Sequence, residues 1–307
     1  MDKPSASVIG KSIASNKSRD QVFAVIGLLA TFVGMLTLAA LLFDLASDGL
    51  ARIKPHFFTS FPSRFAGQAG ILSSGVGTIL VMIVTALAAV PIGIGAGVYL
   101  EEYAPKNWFT ALIEINIANL AGVPSIVYGL MALGLFVYQF KFGQSILSAG
   151  LTLALLILPI IIVATRESLR AVPGSMREAA YALGATKWQT TSDHVLPYSM
   201  GGILTGVIIG LSRAIGETAP LITIGALTFI AFLPDAPVKA EFPFISFEWL
   251  WSPYSVMPIQ MFNWVSRPQA EFHLNAAATG LILMAMTLAM NAVAIYFRYR
   301  FRKRIKW

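Results

Sequence analysis

Cysteine is absent from the 307 residues, and only 12% of them carry charge. The first absence removes disulfides and thiolate metal sites together. Three scattered histidines, His56, His194 and His273, are left with local roles. The second absence is incompatible with an ordinary water-facing surface, because a soluble domain has about 25% charged residues. Catalytic arrangements are missing as well: no HExxH, no paired catalytic carboxylates and no Ser-His-Asp set falls in one shared compartment, so an intramembrane enzyme is a poor reading. A phosphate-cradling loop needs a glycine five residues before its Gly-Lys pair. At Gly10-Lys11-Ser12 that place holds Ser5, with no strand before it, and the match is chance. No cofactor is expected.

What the chain has is apolar length. It is 56% hydrophobic with a mean hydropathy of +0.72, and a bilayer core of about 30 Å takes about 20 apolar residues per helix. Charge-free runs of that size fall at 22–43, 70–100, 115–140 and 142–165, and the apolar run 274–297 is a fifth. The run 198–233 is apolar too but carries Arg213 and Glu217. None alternates as the roughly ten-residue strands of a barrel do, so the fold class is an all-α membrane protein of six transmembrane helices. The first run exceeds the 7 to 15 residues of a cleavable signal and reads as an anchor.

Lysine and arginine set the orientation. Lys3, Lys11, Lys17 and Arg19 precede the first run, and Arg298, Arg300, Arg302, Lys303, Arg304 and Lys306 follow the last. Both termini are expected in the cytoplasm. The chain then divides into an N-terminal segment 1–19, one transmembrane unit 20–297 and a basic tail 298–307, with the connection 171–197 inside and the connection 234–272 outside. The net charge of +7 follows from this topology. The tail reads as an orientation signal touching anionic membrane lipid, not as a nucleic-acid site. The aromatic side chains of the outer connection, Phe242, Phe244, Phe247, Trp249, Trp251 and Trp264, are expected in the interfacial aromatic belt.

Two polar features stand out. The segment REAAYALGATKWQTTSDHVLP, 177–197, is built as two short helices. Ser175 precedes Glu178 by three residues and Thr186 precedes Gln189 by three, each the spacing of a capping box. Gly184 suits a left-handed residue closing the first helix, and Pro197 is expected to end the second and begin the next span. Tyr181, Leu183 and Trp188 project from the pair. An amphipathic loop resting on headgroups and a docking element are both open readings. The other feature is the fifth run. Gly202, Gly206, Gly210 and Ala214 recur every four residues, a stripe that lets helices approach closely in lipid. Arg213 and Glu217, also four apart, stand near its edge, where an unpaired charge costs at least about 2.5 to 3.5 kcal/mol. Pro220, which cannot donate to the Gly216 carbonyl, is expected to loosen the helix there. A structural ion pair and a transport-pathway role are both open. Pro91 with Gly93, Gly95 and Gly97, and Gly122 with Pro124 and Gly129, read as kinks and close-packing points, and Glu114 as a carboxylate at the start of the third helix.

The pattern Glu178, Ala179, Ala180, then Gly184, then Leu196 and Pro197 resembles the EAA loop of ABC importer permeases, which docks on a separate ATP-hydrolysing subunit. His194 stands where that pattern favours Ile. The stretches LAGVPSIVYGL (120–130), LPIIIVATRESLRAVP (158–173), LSRAIGETAPL (211–221) and PIQMFNWVSRPQ (258–269) are similar to the A-subunit permeases of phosphate-specific ABC importers. The likeness runs from about Gly70 to the end. It implies a type I ABC importer permease fold, MetI-like, in a bacterial or archaeal cell membrane. The implied partners are a paralogous C-subunit permease, an ATP-binding cassette ATPase dimer on the cytoplasmic side and an external phosphate-binding protein. By the same resemblance Glu178, Ala179, Ala180, Gly184, Leu196 and Pro197 couple to the ATPase. Arg213 would meet the anion with a planar fork, and Glu217 would neutralise it in the empty state. A second arginine found near the end of the fourth helix in some relatives is replaced here by Val163, with Arg166 one turn later, which leaves the partner permease to supply a second charge. Alternatives are a permease for molybdate or sulfate, an ion-coupled secondary carrier and a non-transporting signalling subunit.

Overall fold

The computed structural model describes residues 6–237, 244 and 246–302. Lys3, Ser5, Phe242, Lys303, Arg304 and Lys306, used above, lie outside the described residues. Among the described residues the regular structure is entirely helical. Helix α1 (Ala6–Gly49) is followed by the short α2 (Pro55–Thr59). Helix α3 (Leu72–Val98) runs on through a π turn (Tyr99–Tyr103), and α4 (Trp108–Leu120) leads to α5 (Ser125–Ala132), itself extended by a π segment (Leu133–Gln139). After α6 (Ile146–Arg170) come α7 (Gly174–Ala182), α8 (Lys187–Gln189), a π turn (Thr190–Val195) and α9 (Leu196–Gly216). Helices α10 (Ala219–Thr223), α11 (Met257–Val265) and α12 (Ala270–Arg302) complete the order. Gly10-Lys11-Ser12 sits within α1, not in a strand-to-helix loop.

Among the described residues five helices are long and apolar enough to cross a membrane: Arg19–Arg52, Leu72–Tyr103, Ile146–Arg170, Lys187–Gly216 and Ala270–Arg300. The pair Trp108–Leu120 and Ser125–Gln139 makes the sixth if taken as one span, and it is bent by 107°. The straight helix expected at 115–140 is therefore broken. Pro124 supplies no N–H and forces the preceding residue away from helical geometry. The fifth span also differs from its expected bounds, 198–233. It begins earlier, at Lys187, and ends at Gly216, where Glu217 turns extended with ψ at 131°. Pro220 then sits in the first turn of a separate helix, α10, so the chain does more than loosen there.

Helix α6 lies at the centre, with α3 on one side and α9 on another. The approach is close because glycines face side chains across both seams. A Cβ on Gly97 would stand 2.6 Å from the Thr165 Cβ, one on Gly93 would stand 2.7 Å from Ile161, and one on Gly206 would overlap Ala164. Gly202 meets Ser168 in the same way, Gly210 faces Ile157 and Ile161 at ordinary contact distance, and Ala214 is buried. The four-residue stripe is the α6-facing surface of α9, as small-residue packing in lipid requires.

A second core closes one end of the bundle. Phe57, Ala69, Ile71, Met257, Trp264 and Phe272 pack there, with the Phe57 and Trp264 rings 6.0 Å apart. Arg52 ties this cap together by donating from Nε to the Asn275 Oδ1 at 2.5 Å and from Nη2 to the carbonyls of Ala66 and Ala69. Trp249 and Trp264 are buried, so they are core residues and not part of an aromatic belt, whereas Phe244, Phe247 and Trp251 are exposed. The indole area of a tryptophan rewards burial wherever a cavity of its shape exists, and the chain around these two residues supplies one for each. Gly49 of α1 packs on Ala278 of α12 beside the cap, so both helices leave the cap toward the end that carries the 171–197 connection.

Candidate functional site

The 171–197 connection forms a short helix followed by the first turns of a long one. Helix α7 ends in a double turn: Ala185 N–H donates to the Ala180 carbonyl at 3.0 Å and Gly184 N–H to the Tyr181 carbonyl at 2.9 Å. Gly184 takes φ +83°, the left-handed geometry that such a closure needs and that glycine adopts without a Cβ clash. The Thr186 capping box is present, with Thr186 N–H donating to Gln189 Oε1 at 2.9 Å and Gln189 N–H to Thr186 Oγ1 at 3.3 Å. The Ser175 box is absent. Helix α7 already starts at Gly174 behind Pro173, whose φ of −55° is preset for a helix start. Ser175 is thus inside the helix, past the position where a hydroxyl can cap.

Pro197 does not end a helix either. Residues 187–216 are one continuous span, and the π turn at Thr190–Val195 places the wider i→i+5 bonding pattern just before the residue that lacks an N–H. Glu178 and Ala179 are exposed, Ala180 is buried, and Leu196 and Pro197 are half-buried at the start of α9. Leu183 is 90% exposed, and Tyr181 and Trp188 are exposed beside it. His194 is exposed within the π turn. Beneath the inner face of α7 lies a small apolar socket of Leu169, Val172 and Val195, with Met176, Leu196 and Tyr198 against it.

Around that socket runs an ion-pair network which sequence spacing does not reveal. Arg177 makes a bidentate contact with Glu102, Nη2 to Oε1 at 2.6 Å and Nε to both oxygens at 3.2 and 3.3 Å. It also donates to the carbonyls of Val172 and Leu169, each at 2.9 Å. Arg166, buried, holds Glu114 at 2.7 Å and lies 3.6 Å from Glu101, which Arg170 reaches at 3.1 Å. Glu114 is two turns into α4 and serves this pairing instead of the helix start expected for it. Glu101, Glu114, Arg170, Lys106 and Asn107 line a polar cleft of about 380 Å³.

The second site lies where α9 breaks. Arg213 Nε is 3.2 Å from Glu217 Oε1. The arginine is the more open partner, its side chain 38% exposed against 18% for the glutamate. Next to the break, α10 packs on α5: a Cβ on Gly129 would overlap Thr223 Oγ1 and stand 2.7 Å from Pro220 Cα. Gly122 and Pro124 form the kink and Gly129 the close contact, matching their expected packing roles. Tyr128, within electrostatic reach of Arg213, donates its hydroxyl to the Leu120 carbonyl at 2.9 Å across the kink. Ser212 donates to Asn291 of α12 at 2.6 Å. Arg166 is remote from this pair in its contacts and already bound to two carboxylates.

Comparison with known proteins bears on the family and the fold. The family described as "Binding-protein-dependent transport system inner membrane component" matches residues 89–307. The phosphate transport system permease protein PstA of Yersinia pestis is 31% identical over 290 residues, 92% of this chain and 91% of that protein. PstA of Mycobacterium leprae is 32% identical over 238 residues, 78% of this chain and 73% of its own length. The probable ABC transporter permease protein YqgI of Bacillus subtilis is 29% identical, covering 83% and 88%. A chain of the inward-facing MetNI methionine ABC transporter shares the fold, with a TM-score of 0.59 at 16% identity over 75% of this chain and 96% of that one. The architecture is that of a type I ABC importer permease, and the chain belongs to the family of binding-protein-dependent transport system inner membrane components.

Proposed function

We propose that this chain is the phosphate-conducting A-type permease of an ATP-driven importer working by alternating access. The observation that carries the proposal is the Arg213–Glu217 pair at the broken end of α9. A guanidinium offers a planar donor fork that suits phosphate oxygens, while its partner carboxylate keeps the empty site neutral. The naming of several relatives as phosphate permeases supports the choice of anion. Glu178, Ala179, Ala180, Gly184, Leu196 and Pro197 belong to the surface offered to an ATPase dimer, where the exposed Leu183 and Trp188 supply apolar anchors. A paralogous C-type permease completes the pathway, and an external phosphate-binding protein docks over the cap. Segment 1–19, the connection 171–197 and the tail 298–307 are cytoplasmic, and 234–272 is external. The segment 20–297 is a single permease unit.

Cells lacking this chain should lose uptake of labelled phosphate and keep uptake of sulfate and molybdate. Loss of either other oxyanion instead selects the alternative permease reading, and phosphate uptake that persists after ATP depletion selects an ion-coupled carrier. Orientation has its own check. A phosphatase reporter should be inactive after Trp307 and active when inserted near Ala236; activity at the C-terminus overturns the topology.

A further inference from the structure

Arg177 binds α7 to the membrane bundle, while Lys187, farther along the same connection, lies over the Tyr103 ring at 5.0 Å. On α7 the outward face carries Glu178, Ala179 and Leu183, while the inward face carries Met176, Arg177 and the buried Ala180. Besides the apolar socket, the Arg177 guanidinium carries side-chain bonds from α7 into the bundle. All three of its nitrogens are engaged, two on the Leu169 and Val172 carbonyls at the end of α6 and two on Glu102, one nitrogen serving both. The Glu102 side chain is only 7% exposed and that of Arg177 20%, so water does little to weaken the pair. The π turn at Tyr99–Tyr103 lets two consecutive glutamates serve two elements, Glu102 reaching α7 and Glu101 reaching Arg166 and Arg170 of α6.

We propose that Arg177 is a positioning residue for transport: through Glu102 it makes α7 and the end of α3 move as one body, so that a displacement of α7 by its partner is delivered to the bundle. This rests on the reading of α7 as the ATPase contact. The arrangement fits such a role better than a purely stabilising one. A salt bridge placed only for stability gains little over apolar packing, whereas a bidentate pair fixes distance and direction together. Lysine is not equivalent, because its three donors sit on one nitrogen and cannot span the carboxylate and the two carbonyls that the guanidinium reaches from three.

The test uses the complete transporter carrying R177Q, R177K or E102Q. The ratio of ATP hydrolysed to labelled phosphate taken up should rise roughly two- to thirtyfold in all three, the range set by coupling energies of such networks, while assembly persists. A wild-type ratio in an assembled R177Q complex overturns the proposal, as does loss of hydrolysis and uptake in equal proportion. If R177Q does not assemble, E102Q, which leaves both carbonyl bonds of Arg177 in place, decides by the same ratio. A substrate-independent arm separates this inference from the phosphate reading. The chain has no cysteine, so spin labels at S175C and K106C, both exposed, report the distance between α7 and the chain three residues beyond the α3 π turn. That distance should stay constant on nucleotide trapping in the otherwise unmodified complex and change in the R177Q background; a change in both overturns the proposal, whatever the transported anion proves to be.

Discussion

Arg213→Gln should cut uptake severely while the complex still assembles. The amide keeps hydrogen-bonding capacity but loses the charge that offsets desolvation of an anion in a low-dielectric passage. If the arginine supplies stabilisation comparable to the cost of a charge at the bilayer centre, about 2.5 to 3.5 kcal/mol, uptake falls roughly a hundredfold. Glu217→Gln acts differently. It leaves Arg213 charged without its partner at 3.2 Å, so binding persists and release slows, and uptake drops only severalfold. A lock gives another pattern: each single substitution destabilises the complex and the double neutral variant recovers, because removing both charges relieves what removing one creates. Assembly, ATP hydrolysis and uptake measured for the two singles and the double separate these cases. The openness of Arg213, and the break that leaves its partner on extended backbone, favour the first pattern. A double variant that transports normally would remove the pair from the pathway.

Gly129→Ala should be nearly as severe, for a reason of shape alone. The added methyl overlaps Thr223 Oγ1 and comes within 2.8 Å of the Pro220 carbonyl, so the backbone of α10 has to move. Overpacking of this kind costs about 1 to 3 kcal/mol. Because Pro220 lies three residues beyond Glu217, the shift also disturbs the Arg213 pair. Gly134→Ala is the control, since nothing lies within 4 Å of its Cβ position. Thermal unfolding of the purified complex and uptake by the same variants should show loss at Gly129 and none at Gly134. Equal behaviour of the two would mean that α5 and α10 are not held against each other in the working protein.

The parts of this architecture that the sequence made legible are those set by neighbours along the chain. Four-residue spacing put Gly202, Gly206, Gly210 and Ala214 on one helical face and Arg213 within reach of Glu217. A glycine after an alanine-rich turn marked the left-handed closure at Gly184, and Thr186 with Gln189 marked a helix start. Each depends on bonds within a turn or two. The misreadings share the opposite cause. Ser175 had the capping spacing, but Pro173 had already set the helix start. The apolar run to residue 233 hid the break at Gly216, because hydropathy does not register an extended Glu217. Trp249 and Trp264 have the composition of a belt, yet a folded outer connection buries them. Arg177 and Glu102 are 75 residues apart, and no local pattern distinguishes a glutamate that waits for an arginine on another helix from one that faces water.

The π turn at Thr190–Val195 joins the exposed Trp188 to the glycine stripe and Arg213 through one unbroken helix of 30 residues. Each residue of an α-helix turns the chain by about 100°, so the number of residues in that stretch sets an angle and not merely a length. Gain or loss of a single residue there would leave the span as apolar as before, yet swing Trp188 and α7 about a quarter-turn around the helix axis relative to Gly206 and Arg213. The two surfaces are therefore locked in phase, and the only adjustments open to this segment come in whole-residue steps.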